Sequence, residues 1–338
     1  MPVSITCLIC GKPLDLSAPD VATCTSCGQH YPITCGIPDL RGRDAANTPA
    51  DAAIVERMLA AYQQSDFAGL VDIRMRNAPT YGDLRGHEMG YLLTLKERGR
   101  GMVEMFHSRA VEYFPSAGNE VALDLGCGSG TSMLALAKKY QTVVGLEPSL
   151  PDLILARKAL EVEGVTNFQL VQAYGQHIPY PEQSFNYINA LNVLEHVFEP
   201  ESVLTEAHRV LKPDGIFAAD SRNRFDLFLP EPHVKIRWVG LFPRRCARRY
   251  VRWRLGVGYD ATRLLSYGEL QRGLHKSFGR EYCIVFPYVN AYGGPAWVNG
   301  WLRRLERLPV LSTLALWVFP SHLALARRRR QSQMDRKR

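Results

Sequence analysis

Four cysteines, Cys7-x2-Cys10 and, after thirteen intervening residues, Cys24-x2-Cys27, have types and spacing that point to metal chemistry. Two such knuckles supply the four thiolates of a tetrahedral zinc site. A site closed by four cysteines has no open coordination position, so the metal would be structural. Its binding free energy would replace the core that residues 4–41 are too few to build. The other reading is four free thiols. Cys35 falls outside the pattern. A second constellation is Asp124-Leu125-Gly126-Cys127-Gly128-Ser129-Gly130, where glycines allow a tight turn and close approach of backbone to a ligand. Glu147 follows about twenty residues on, where an acid accepts hydrogen bonds from ribose hydroxyls. The ligand implied is a nucleoside.

A glycine turn of this kind must sit between a strand and a helix. From Glu120 the chain alternates β and α segments, the pattern of an open, largely parallel sheet with helices on both faces. Strands are expected at 121–125, 142–146, 168–171, 187–192 and 216–220, with helices at 131–139, 151–163 and 201–211. Upstream, residues 42–52 read as a linker. Residues 53–114 read as mostly helical, with breaks around Asn77-Ala78-Pro79 and Gly99 to Gly101, forming a cap over the site or a brace between modules.

With 338 residues, 46% hydrophobic and 22% charged, the chain has globular composition, which excludes a wholly disordered, collagenous or polytopic membrane protein. Net charge is +8, yet residues 1–221 carry −9 and residues 222–338 carry +17. That asymmetry sets the last third against an anionic partner. The first ten residues lack a basic region followed by a long apolar run, so cytoplasmic placement is expected, in which cysteines serve as ligands or free thiols.

Residues 120–220 resemble the class I S-adenosylmethionine-dependent methyltransferases of the type 11-like group. The match rests on Asp124-Leu125-Gly126-Cys127-Gly128, Ile178-Pro179-Tyr180, Ser184-Phe185, Val193-Leu194-Glu195-His196-Val197 and Arg209-Val210-Leu211-Lys212-Pro213-Asp214-Gly215. The resemblance implies a Rossmann-like fold, S-adenosylmethionine as cofactor, and a cofactor site drawn from Asp124, Gly126, Cys127, Gly128, Gly130, Glu147, Pro148, Ala173, Tyr174 and Asn192. Glu147 would hold the ribose, while Leu146 and Pro148 would flank the adenine. The group often has an acid after the third strand that reads the adenine amine, but Gln172-Ala173-Tyr174 stands here. Tyr174 would stack on the base instead, with Gln172 or Gln176 accepting its hydrogen bond. Asn186 likewise replaces a common Asp. For a hydroxyl acceptor, His196 is the candidate general base with Glu195 beside it; the alternative is that both brace their loop. The first forty residues, with Tyr31-Pro32 and Gly36-Ile37-Pro38-Asp39-Leu40, look like the zinc-ribbon module that occurs alone as a methyltransferase activator or fused ahead of bacterial methyltransferases, so a protein partner of the ribbon is a further expectation.

Beyond the core, Glu231-Pro232-His233 and Trp238 to Arg245 resemble an insert of bacterial methyltransferases that act on glycans and other small or lipid-linked acceptors. His233 would line the acceptor pocket or merely shape a turn. Six arginines between Arg244 and Arg254, with Tyr250, Val251 and Trp253 interleaved, suit phosphate groups. Leu308 to Ala326 lacks formal charge, is broken by Pro309 and Pro320, and has arginines at both ends. It reads as an in-plane segment on an anionic membrane surface or as a buried helix. The organisation expected is a ribbon at 1–41, linker and cap or brace at 42–118, cofactor-binding core at 119–221, acceptor-side insert and remaining strands at 222–300, and a membrane-surface segment at 301–338. The function expected is O-methylation of a small or lipid-linked acceptor by a cytoplasmic protein peripheral to the membrane. The alternatives are an RNA methyltransferase, in which nucleic acid is the partner, and a non-catalytic scaffold.

Overall fold

The computed structural model describes residues 3–42, 49–77, 90, 94–114, 118–259, 262–292 and 294–329. The expected break at Ala78-Pro79, most of the linker and Arg330 lie outside them. The chain divides into two compact units, Met1–Val103 with Gly118–Ile188, and Glu104–Ala117 with Asn189–Arg338.

The first unit opens with a four-stranded antiparallel sheet, β1 (Leu14–Asp15), β2 (Val21–Cys24), β3 (His30–Thr34) and β4 (Ile37–Pro38), in sequence order. Each Cys-x-x-Cys knuckle ends in a glycine at φ +69°, Gly11 and Gly28, whose amides donate to the Cys7 and Cys24 carbonyls at 2.9 and 3.1 Å. The two turns are thus alike, as a symmetric four-sulfur site requires.

Among the described residues the helices α1 (Pro49–Ala61), α2 (Phe67–Asn77) and α3 (Leu95–Tyr113) follow. The end of the expected linker is already helical. In α1, Ile54 and Met58 are buried four residues apart, with Tyr62 buried just beyond the helix, so one face is apolar. No break occurs at Gly99 to Gly101. Each helical glycine costs about 1 kcal/mol of propensity, but Met102, Val103, Phe106 and Ala110 continue a buried stripe through the helix. Gly99 also lies so close to the Thr131 carbonyl that a Cβ there would overlap it. Tertiary packing outweighs propensity here.

Strands β5 (Val121–Leu125), β6 (Thr142–Glu147) and β7 (Phe168–Gln172) run parallel, separated by α4 (Met133–Leu136) and α5 (Leu150–Val162). Their near-continuous apolar runs are those of strands covered on both faces. The helix expected at 131–139 shrinks to one turn. The ribbon closes the β7 edge: Leu40 N–H donates to the Gln172 carbonyl at 2.7 Å, and Asp39 bridges Gln172 in parallel. A covered edge no longer offers a template for aggregation.

Farther along lie β8 (Phe185–Ala190), α6 (Pro200–Val210), β9 (Leu211–Arg222), α7 (Arg244–Leu255), α8 (Tyr267–Phe278), β10 (Tyr282–Val285), α9 (Trp297–Glu306), α10 (Pro309–Leu316) and β11 (Ser321–Arg327). Seven strands hydrogen-bond in the order β10-β11-β9-β8-β5-β6-β7, a Rossmann-like sheet in which β11 runs antiparallel to β9 and β10.

The uncharged run Leu308 to Ala326 is therefore not one in-plane segment. It divides at Pro320 into α10, with Val310 72% and Leu314 61% exposed, and β11, whose Ser321 to Ala326 are buried. A strand inserted between β9 and β10 is covered on both faces and needs the same uncharged composition. Residues 321–327 cannot lie on a membrane surface while they fill the sheet. Among the described residues no helix is long and apolar enough to cross a membrane.

Candidate functional site

In the first unit, β5 delivers buried Asp124 to the glycine turn, whose Gly126, Gly128 and Gly130 all have positive φ, +68°, +49° and +86°. The Gly126 and Cys127 amides both donate to the Leu146 carbonyl, at 2.7 and 3.1 Å, so the turn is fixed against the end of β6. A Cβ at Gly128 would project into open space, whereas one at Gly130 would press on Ala156 of α5. The cradle is thus open on one side and packed on the other. Cys127 is buried, and burial pushes its thiol well up, which leaves it no nucleophilic character.

Glu147 ends β6 and points into the turn: its carboxylate accepts from the Gly128 amide at 3.2 Å and from the Ser149 amide at 3.0 Å. Burial and nearby Asp152 push its carboxyl up to about 7 despite those two donors. An acid so poised gains from further donors such as ribose hydroxyls. Ser129 and Arg74 both contact Asp152, at 3.3 and 3.4 Å.

At the expected adenine subsite, Ala173 is buried and its amide donates to the Glu147 carbonyl at 3.3 Å, while Tyr174 is 39% exposed. The Gln172 side-chain amide donates to the Pro148 carbonyl at 2.9 Å, bracing the loop after β6. Arg41 from the ribbon donates to the same carbonyl at 3.5 Å while paired with Asp39 at 2.7 Å. Neither brace was legible beforehand, because no local pattern tells which polar side chain meets a carbonyl distant in sequence.

The sulfurs of Cys7, Cys10, Cys24 and Cys27 lie within 4.8 Å of one another. Three of their separations are 3.6, 3.4 and 3.6 Å. Four sulfurs about 2.3 Å from a central zinc stand roughly 3.8 Å apart, so the set fits that ion. Backbone amides of Ile9 and Cys27 point at Cys7 and Cys24 sulfurs at 3.4 and 3.5 Å, and Tyr31 Oη lies 3.2 Å from Cys7 Sγ. Such outer contacts orient thiolate ligands. Cys35 is elsewhere; its carbonyl accepts from Arg157.

Asn192, Glu195, His196 and His233 belong to the second unit. Asn192 lies two residues past β8 at φ +52°, its amide donating to Asp220 at 2.6 Å. Glu195 is 2% exposed, and burial together with Asp220 pushes its carboxyl up to about 8. Burial and then His233 hold His196 below the ordinary imidazole value, so it is a neutral proton acceptor at pH 7. The His196 and His233 rings meet edge to face at 5.2 Å, and His233 Nδ1 lies 2.7 Å from Glu231. Glu231 is buried and also accepts from the His233 and Val234 amides, at 2.8 and 2.6 Å. The Glu231-Pro232-His233 turn therefore orients its histidine.

His196 lines a cavity of about 530 Å³ with Glu195, Phe242, Tyr259 and four arginines, Arg224, Arg244, Arg248 and Arg263. His233 stands behind His196. Arg244 and Arg248 belong to the arginine-rich helix already singled out in the sequence, whereas Arg224 and Arg263 come from loops before and after it.

A family profile described as a methyltransferase domain matches residues 123–219. An uncharacterized methyltransferase of Synechocystis sp. is 33% identical over 181 residues, 51% of this chain and 82% of that relative. A demethylmenaquinone methyltransferase of Lactobacillus johnsonii is 33% identical over 51% of this chain and 66% of its own length. A ubiquinone biosynthesis O-methyltransferase of Hydrogenovibrio crunogenus is 31% identical over 34% of this chain and 47% of its own length, so the match spans about half of that relative. Among solved structures, an S-adenosylmethionine-dependent methyltransferase from Mesorhizobium loti aligns with 66% of this chain and 98% of that one, at 20% identity and a TM-score of 0.44.

Proposed function

The chain belongs to the S-adenosylmethionine-dependent methyltransferases, and on that footing we propose that it methylates an oxygen of a small or lipid-linked acceptor, a glycan among the candidates, at the cytoplasmic surface of a membrane. When bound, the cofactor supplies a methyl group activated on a sulfonium. The chain's part is mainly alignment and exclusion of water. Gly126 to Gly130 and Asp124 would receive the amino-acid end, Glu147 the ribose, and Pro148, Ala173 and Tyr174 the base. His196, neutral and oriented by His233 and Glu231, would accept the acceptor's proton. Structural zinc would hold the ribbon; metal analysis of the purified protein should then find about one zinc per chain.

The observation that carries the membrane reading is a run of exposed aromatic and apolar side chains in the second unit, set among arginines. Phe242, 46% exposed, lines the cavity and neighbours Tyr250, which neighbours Trp253, 81% exposed. Exposed Trp238 donates to the Leu227 carbonyl at 3.2 Å, and Leu227 in turn donates to Val318, just past α10. In α9, Leu302 and Leu305 face the core while Trp297 and Trp301 are 69% and 63% exposed. Tryptophan beside arginine suits an anionic interface. The relatives named for demethylmenaquinone and ubiquinone methylation add weight to a small-molecule acceptor, and the latter to oxygen.

The test supplies methyl-labelled S-adenosylmethionine to the protein with cell extract, then separates lipid, soluble and RNA fractions. Label in the lipid or soluble fraction is expected; label confined to RNA would replace this reading with the nucleic-acid one. Serine substitution of Trp253, Trp301, Val310 and Leu314 should abolish sedimentation with anionic liposomes, and unchanged sedimentation would refute the membrane surface.

A further inference from the structure

Taking the methyltransferase reading as its premise, we propose that the 530 Å³ cavity of the second unit is a phosphate site, and that the methyl acceptor carries a phosphomonoester or pyrophosphate group. Three separate stretches of chain bring arginine to it. Arg224 follows β9, Arg244 and Arg248 lie on α7, and Arg263 precedes α8.

Two of these arginines meet the same acid. Glu269 pairs with Arg244 at 2.7 Å and lies 3.7 Å from Arg263. It stays ionised because the Ser266 amide and the Arg244 guanidinium offset its burial and hold its carboxyl down to about 2. Arg224 donates to the Gly240 and Phe242 carbonyls at 3.0 and 2.9 Å, contacts that aim the guanidinium without neutralising it. Burial and the proximity of Arg244 lower its proton affinity, the sign of like charges crowded together.

Glu195 supports the same conclusion. Its carboxyl is 2% exposed, and Oε2 has no hydrogen-bond partner among the described residues. An ionised acid there would repel an anion. Held protonated at neutral pH by burial and Asp220, it is instead a hydrogen-bond donor beside the arginines. Guanidinium forks match phosphate oxygens in pairs, and a tetrahedral group can take forks from several directions where a planar carboxylate cannot. The apolar wall of Val239, Phe242 and Leu264 leaves room for the rest of the acceptor.

The test is calorimetric titration of the full chain, at neutral pH and without cofactor, with inorganic pyrophosphate, inorganic phosphate and citrate. Pyrophosphate should bind the wild type, and Arg224→Met should weaken it at least tenfold. Because Arg224 also holds the cavity wall, Arg248→Met, a change at an exposed side chain, provides the second variant and should weaken pyrophosphate severalfold. S-adenosylmethionine affinity, measured in parallel, should be the same in all three proteins. Cofactor binding without pyrophosphate binding would overturn this inference and leave the methyltransferase reading intact; loss of cofactor binding by the wild type would strike the premise. Citrate binding as tightly as pyrophosphate, or an RNA oligonucleotide displacing pyrophosphate with higher affinity, would also overturn it. Vesicles of phosphatidylcholine doped with phosphatidic acid decide the source. Displacement of pyrophosphate by them supports a lipid-borne phosphate, and its absence, with pyrophosphate still bound, supports a water-soluble one.

Discussion

Replacing Glu147 by glutamine should alter stability and cofactor affinity with different dependences on pH. The Glu147 carboxyl rises from 4.5 to about 7 on folding. Between those values the folded chain holds a proton that the unfolded chain has released. The proton's contribution to stability is therefore full below 4.5 and is lost as the pH rises through 7; at about 1.4 kcal/mol per pH unit it amounts to about 3 kcal/mol. Glu147→Gln cannot titrate. Its amide accepts at one oxygen only, so one of the Gly128 and Ser149 amides loses its acceptor, a loss of about 1–3 kcal/mol. The variant should be the less stable protein at pH 5. It should match or exceed the wild type at pH 8, the difference swinging by about 3 kcal/mol. Urea denaturation across this range reads the swing directly. Cofactor affinity should fall roughly 10- to 150-fold at pH 8, the equivalent of about 1.5–3 kcal/mol for hydrogen bonds to a charged acceptor. A stability difference independent of pH would refute the electrostatic argument, and unchanged affinity would remove Glu147 from the ribose.

Gly99→Ala gains about 1 kcal/mol of helix propensity but drives a methyl group into the Thr131 carbonyl, an overpacking of about 1–3 kcal/mol, so the melting temperature should drop rather than rise. Arg109, 1% exposed and paired with Glu112 and Glu306, ties α3 to α9. Arg109→Ala leaves Glu306 half-buried without its partner and should destabilise the protein by about 3–5 kcal/mol in urea unfolding. His322 is fully buried in β11, its Nε2 2.8 Å from the Leu316 carbonyl, and burial lowers its ring from 6.5 to about 4. As pH falls from 6.5 through 4 the unfolded chain takes up a proton that the folded chain refuses, and about 3 kcal/mol of stability is lost. Relative to His322→Gln, which keeps the donor, the wild type should lose that amount on acidification; parallel stability curves would contradict this.

What could be read from the sequence follows from how local each signal is. The glycine turn was legible because each of its glycines meets a backbone requirement at its own position, and Glu147 because an acid at the end of the next strand has one geometric role. The parallel strands were legible from the alternation of β and α segments after Glu120. Composition misled at Leu308 to Ala326, where an uncharged stretch suits a membrane surface, a buried helix or a central strand equally. Only the pairing of β11 with β9 decides. Gly99 read as a helix break because its compensation, close approach to Thr131, comes from a residue thirty-two positions away. The four-arginine cavity was half visible: Arg244 and Arg248 stood in a cluster, but Arg224 and Arg263 join them only through the fold.

The most direct test is a crystal structure with S-adenosylhomocysteine. The ribose hydroxyls should donate to Glu147, with the amino-acid end lying over Gly126 to Gly128. Nucleoside bound elsewhere, with the Glu147 carboxylate still held by the Gly128 and Ser149 amides and the glycine turn empty, would contradict the account.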